Sequence, residues 1–121
     1  MSPRLSAPAG KVPLKKPALR NSALIFAALG DETRLRLIAV LCAGGTMSIA
    51  QLTSGTDITR QAVTKHLHVL ADAGLVRDVK VGRERLWEFE PTQMEEARRS
   101  LDAIGRQWEH ALMKLKLAVE R

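Results

Sequence analysis

Arg60, Gln61, Thr64, Lys65 and His68 fall on one side of a segment whose apolar residues, Val63, Leu67 and Leu70, recur at i, i+4 and i+7. That spacing predicts a helix with Val63, Leu67 and Leu70 turned to a core and the five polar residues on the opposite face. Thr59 suits its N-cap and Gly74 its end. The polar types match chemistry at base edges. A guanidinium can chelate O6 and N7 of guanine, a carboxamide can bridge N6 and N7 of adenine, and threonine can bond a phosphate or meet a thymine methyl. An ordinary solvated helix face carries the same residue types, so the helix alone leaves both readings open.

The neighbouring segments bear on that choice. A short helix precedes, capped by Ser48, running through Ile49, Leu52 and Thr53 and broken at Gly55. A short helix, a glycine-containing turn and a longer helix over residues 48–73 form the helix-turn-helix pattern. In such a unit the second helix enters the major groove of double-stranded DNA with its N-terminal residues at the base edges. After Gly74 the apolar period changes to about 2. Val79 and Val81 alternate with charged residues, as do Trp87 and Phe89, and Gly82-Arg83 lies between the two runs. This predicts a β-hairpin with a turn of about two to four residues. Lys80, Arg83 and Arg85 flank its tip, where a wing would lie along the phosphate backbone or minor groove. From Thr59 to Arg85 six Lys and Arg stand against three acids, so the positive excess is local.

The remaining elements must hold this unit in place. Ala23, Leu24, Phe26, Ala27 and Leu29 predict a short helix ending at Gly30. A second helix over 31–43 opens with Asp31 as N-cap and closes at Gly44-Gly45. Its apolar face holds Leu35, Ile38, Ala39, Leu41 and Cys42, with Leu37 and Val40 widening it, and Cys42 reads as a buried small hydrophobe. Pro91 ends the hairpin and opens a last helix over about 92–119. There Met94, Ala97, Leu101, Ile104, Trp108, Ala111 and Leu115 step alternately by three and four, a heptad-like seam that Leu112 and Val119 widen. Such a seam buries little on a small domain, whereas a second copy hides all of it. The alternative is that the helix folds back on its own monomer. The expected fold class is mainly α with one β-hairpin, a winged helix-turn-helix over 21–121.

Composition sets the outer bounds. The chain has 121 residues, 45% hydrophobic and 26% charged, the balance of one soluble globular domain. No run approaches the ~18 apolar residues of a membrane span, and no apolar stretch behind the N-terminus resembles a secretory signal. Nineteen Lys and Arg against 13 Asp and Glu give a net charge of +6, which favours an anionic partner. Five of those charges, Arg4, Lys11, Lys15, Lys16 and Arg20, lie in the first 20 residues with Pro3, Pro8, Pro13 and Pro17 and no acid. Residues 1–20 therefore read as a disordered, basic, Pro-rich arm, either a solubilising tail or one that touches phosphates. No nucleophile elbow, phosphate-binding glycine loop or His/carboxylate constellation is present, so the chain is not expected to be an enzyme. One cysteine cannot form an internal disulfide, which fits a reducing compartment.

Four motifs, in order, resemble those of the ArsR/SmtB family of winged helix-turn-helix repressors. The run from Ala28 to Arg36, ALGDETRLR, resembles its signature ALGDPTRLRIL, and the run from Gln61 to Leu67, QAVTKHL, its recognition segment PAVSKHL. Ala73-Gly74-Leu75-Val76 and Gly82-Arg83 match its helix-to-wing junction and wing tip. The resemblance covers residues 22–91 and, by pattern, the last helix. It implies a cytoplasmic homodimer that binds an operator in double-stranded DNA as a repressor. The positions it places at DNA are Thr59, Arg60, Gln61, Thr64, Lys65, His68 and Arg83. It places the first helix, with Leu24, beside Met94, Leu101, Ile104, Trp108, Leu112 and Leu115 in a dimer interface. His66 matches a half-buried histidine of structural role, and Arg60 stands where many members carry Gln. The family's metal box ELCVCDL aligns with residues 46–52, where Ser48 and Ala50 replace the two cysteines. Its other metal site needs an Asp and His pairs on the last helix, where this chain has Asp102 and only His110. No metal and no cofactor are expected. A small-molecule or protein inducer that altered the spacing of two recognition helices would weaken binding, and the sequence does not identify one. The rival class is a winged-helix protein-interaction module whose basic face is merely solvated.

Overall fold

The computed structural model describes residues 16–120. Its elements run α1 (Lys16–Leu29), α2 (Glu32–Gly44), α3 (Ile49–Ser54), α4 (Arg60–Asp72), β1 (Val76–Val81), β2 (Glu84–Phe89) and α5 (Pro91–Val119). This is the expected mainly α order with one hairpin. Most of the basic arm expected over 1–20 lies outside the described residues. The part inside, 16–20, is helical and opens α1. Pro17 falls in the first turn, where a helix has no intrahelical acceptor for the N–H that proline lacks.

Short polar side chains start three of the helices. Asp31 accepts the Arg34 N–H at 3.0 Å and Thr59 accepts the Ala62 N–H at 3.1 Å. Ser48 and Gln51 form a reciprocal capping box, with bonds of 3.1 and 2.9 Å. Val63, Leu67 and Leu70 on α4 are each 0% exposed. They share one core cluster with Leu37 and Leu41 of α2, Leu52 of α3, Ile25 and Ala28 of α1, Ala97 of α5, and Leu75, Val76 and Trp87 at the hairpin root. At roughly 1.5–3 kcal/mol for each large apolar side chain buried, these contacts orient α4.

Two expectations about packing need correction. On α2 the buried stripe is narrower than expected: Leu37, Ile38 and Leu41 are buried, whereas Leu35, Ala39, Val40 and Cys42 are exposed. Cys42 lies one turn after Ile38, but no neighbouring element among the described residues covers it near the end of α2, so its thiol is exposed rather than in the core. The stripe on α5 divides. Its first part faces the chain's own core: Ala97 is buried and Met94 is half-buried against the core cluster, so Met94 differs from the rest of its predicted seam. Buried Ser100 and Ala103 continue the packed face, and the Ser22 and Ser100 hydroxyls meet at 2.5 Å where α5 lies along α1. The second part, with Leu101, Ile104, Trp108, Leu112 and Leu115, is exposed, Trp108 at 65%, as is Leu24 on α1 at 60%.

The hairpin pairs Val76 with Phe89 through Val81 with Glu84, leaving Gly82-Arg83 as a two-residue loop. Gly82 has φ 62° and Arg83 a negative φ, the pattern of a type II′ turn, whose twist suits a hairpin. A third short segment joins the sheet: Met47 and Trp87 exchange backbone bonds of 2.9 and 2.7 Å. Nothing in the period of residues 44–48 announces that bridge. Gly74 closes α4 at φ 78°, and a Cβ there would lie 2.8 Å from Gln93 Cγ, so glycine satisfies both backbone and packing.

Truncating Leu67 to Ala should lower the unfolding free energy by about 3 kcal/mol. Urea denaturation followed by circular dichroism measures this; a loss below about 1 kcal/mol would mean that α4 is not seated by this core.

Candidate nucleic-acid interface

With Val63, Leu67 and Leu70 inward, α4 turns Arg60, Gln61 and Lys65 to solvent and leaves Thr64 half-buried between them. These four residues line one open depression at the start of the helix. The Thr59 hydroxyl oxygen is occupied as a cap acceptor, but its hydrogen is free to donate. The Thr64 hydroxyl donates to the Arg60 carbonyl at 2.8 Å and keeps acceptor capacity. The first-turn N–H groups and the positive end of the helix dipole add to the attraction for an anion.

His68 is brought elsewhere. It lies on the exposed side of α4 but packs beside Trp87, with ring centroids 6.2 Å apart and planes tilted by 57°. It therefore touches the root of the wing rather than the depression. The Trp87 Nε1 is buried without a hydrogen-bond partner among the described residues.

The strand register sorts the wing charges. Directly paired residues project on the same face of a hairpin. Lys80 and Arg85 are paired, and they share a face with Val76, Trp87 and Phe89, the side that packs on the core. The opposite face carries Arg77 and Glu88, also paired. Arg77 donates two bonds of 2.9 and 2.7 Å to one Glu88 oxygen and lies 3.6 Å from Glu90. Arg85 has its Nε 3.1 Å from Asp78, so it reaches the site already partnered by an acid. Arg60, Lys65, Lys80 and Arg83 form no ion pair among the described residues. Their charges are not offset by an acid of the same surface. No motif marks Asp78; the strand register set by the two-residue loop places it beside Arg85.

Behind α4 a second polar group forms at the corner between α1 and α2. The Arg34 guanidinium donates through Nε to the Ala28 carbonyl at 2.5 Å and through an Nη1 hydrogen to His66 Nδ1 at 3.3 Å. A guanidinium has no acceptor, so Nδ1 is the acceptor and His66 carries its proton on Nε2. The same Nδ1 lies 3.9 Å from Asp31 Oδ2. The Arg34 backbone N–H holds the Asp31 carboxyl below the usual carboxylate range, outweighing desolvation, and the charge on the Arg34 guanidinium adds to the lowering. Half-buried His66 thus has the structural surroundings expected of it.

The matches with known proteins agree with this geometry. Residues 29–79 match a family model described as a helix-turn-helix domain. The HTH-type transcriptional regulator Rv2034 of Mycobacterium tuberculosis is 38% identical over 85 residues, covering 70% of this chain and 76% of its own. YuzN of Bacillus subtilis, an HTH-type transcriptional regulator, is 40% identical over 75 residues, covering 57% and 82%. The solved structure of an ArsR-like transcriptional regulator from Rhodococcus sp. RHA1 superposes with a TM-score of 0.73 at 35% identity, covering 84% of this chain and 95% of that one. The chain belongs to the ArsR family of winged helix-turn-helix transcriptional regulators. As such it is a DNA-binding transcriptional regulator and not an enzyme. In this ArsR-family fold α3 and α4 are the helix-turn-helix, and the β1–β2 hairpin is the wing. No helix among the described residues is long and apolar enough to cross a membrane.

Replacing Thr59 by Asp separates the cap from the interface. Aspartate caps a helix as well as threonine and suits the dipole, but it sets a negative charge among the cations of the depression. The variant should keep the thermal midpoint of the parent and lose about tenfold or more in DNA affinity by fluorescence anisotropy. Undiminished affinity would remove the start of α4 from the interface.

Proposed function

We propose that the protein is a homodimeric repressor that acts in the cytoplasm, binds an inverted-repeat operator and does not respond to metal. One observation carries this reading. A single chain leaves Leu101, Ile104, Trp108, Leu112 and Leu115 of α5 and Leu24 of α1 exposed while its core is already closed. A helix of 29 residues, about 43 Å long, extends this stripe well past the domain. A second copy applied across a two-fold axis covers both stripes at once, at about 25 cal/mol per Å² of apolar area removed from water. Two α4 helices would then meet successive major grooves about 34 Å apart. Base reading is assigned to Arg60, Gln61, Thr64 and Lys65, with Thr59 at a phosphate. Lys80 and Arg83 contact the backbone through the wing, Arg85 assists with its charge partly offset by Asp78, and His68 supports the wing through Trp87.

Repression follows from occupation of an operator, as the family resemblance implies. Freedom from metal control is supported by the donor set. Thiolate sites need several sulfurs held together, whereas this chain has Cys42 alone, exposed on α2. At the position of a metal-box cysteine, Ser48 instead caps α3. A small-molecule or protein inducer that changed the spacing of the two α4 helices would release the DNA, because both half-sites must be met together.

Selection of bound sequences from a random duplex pool should enrich an inverted repeat with half-sites about 10 base pairs apart. Sedimentation should show a dimer, and Ile104→Glu with Trp108→Glu should give a folded monomer that binds the selected site at least tenfold more weakly. Removing Lys80 or Arg83 should weaken all DNA alike and reduce the salt slope by about one per protomer. A monomeric parent with no enriched sequence would favour the protein-interaction module. Sequence-blind binding lost with residues 1–15 would favour an architectural role of the arm.

A further inference from the structure

The recognition helix is seated on the rest of the chain by more than apolar contact. Ala28 lies in the last turn of α1, where carbonyls lack helical partners. Arg34, half-buried on α2, gives its Nε–H to that carbonyl, which also places a cation at the negative end of the α1 dipole. The same planar group donates to Nδ1 of His66 on α4. Arg34 is further held by its backbone N–H on Asp31, the N-cap of α2. One guanidinium therefore ties the end of α1, the start of α2 and the middle of α4. Farther along α1, Ser22 meets Ser100 of α5, the helix with the exposed stripe. Polar contacts thus run from α5 through α1 and Arg34 to the helix that carries Arg60, Gln61, Thr64 and Lys65.

We infer that Arg34 and His66 are positioning residues for base reading: their bond sets the tilt of α4 against α1 without either side chain touching DNA. The inference rests on the proposed reading that α4 reads an operator. The requirement is for an acceptor at Nδ1, because Arg34 can only donate. Asparagine offers a carboxamide oxygen near that place, whereas leucine fills similar space with no acceptor. The core residues Val63, Leu67 and Leu70 remain in either variant, so the fold is retained while the seating is loosened.

The test compares His66→Leu, His66→Asn, Arg34→Met and the Arg34→Met/His66→Leu pair in the full chain. The ligands are the selected duplex and an unrelated duplex of equal length, with thermal unfolding measured alongside. Expected is a loss of about tenfold in the preference for the selected duplex for His66→Leu, about 1.4 kcal/mol of discrimination. Binding to the unrelated duplex and the thermal midpoint should change little. His66→Asn should recover most of the preference, and the double variant should be no worse than Arg34→Met alone, since both changes remove the same Arg34–His66 bond. An unaltered preference in His66→Leu, no recovery in His66→Asn, or additive losses in the double variant would overturn the inference. So would a loss that follows the thermal midpoint. A parent chain with no preference between the duplexes would instead remove the operator reading itself, and the inference with it.

Discussion

The rotation of α4 about its own axis governs the rest of the molecule. Val63, Leu67 and Leu70 are sealed in the core cluster shared with the other helices and the hairpin, and a helix with three such contacts on one side has one rotational setting. Once that phase is set, Arg60, Gln61, Thr64 and Lys65 must line the opposite surface. Thr59 stands at the helix start because its oxygen satisfies the Ala62 N–H there. The polar surface at the start of α4 is thus a consequence of core packing. Arg34 and His66 refine the same placement with a directional bond where apolar contact alone would allow some slide.

Trp87 plays the corresponding part for the wing. Its side chain is buried at the hairpin root, its backbone pairs with both Asp78 on β1 and Met47 before α3, and His68 of α4 packs beside its ring. Hairpin and recognition helix are held as one body in this way, since a two-stranded ribbon alone is marginal in water. The register then separates the charges. Arg77 is consumed by Glu88 and Glu90 on one face, and Arg85 is drawn to Asp78 on the other. Of the six cations between Thr59 and Arg85, four remain without an acid among the described residues: Arg60, Lys65, Lys80 and Arg83. Local net charge therefore overstates what a phosphate backbone would meet.

The two ends of α5 serve different surfaces. Small residues at Ala97, Ser100 and Ala103 allow the helix to lie close to α1, and Met94 fills the domain's own core. From Leu101 to Leu115 the apolar stripe on the other side has no cover in a single chain. One helix thus carries two faces, a buried one of small side chains and an exposed one of large apolar side chains. Ser22 against Ser100 marks the internal contact with a polar bond that shape alone would not specify.

The sequence by itself determined the element order, the helix starts at Asp31, Ser48 and Thr59, the hairpin with Gly82-Arg83 at its tip, and the polar face of α4. Each is local: a cap, a turn or a period acts over a few residues, and its chemistry shows in their types. Only the tertiary structure decided that Cys42, Leu35 and Val40 face solvent, because the width of a buried stripe depends on how many neighbours surround the helix. It also decided the pairing of Met47 with Trp87, the ion pair of Arg85 with Asp78, the placing of His68 at the wing root, and the meeting of Arg34 with His66, 32 residues apart. These are contacts between elements. Periodicity states which side of an element is apolar, but the partner of a polar side chain is fixed only when another element arrives beside it.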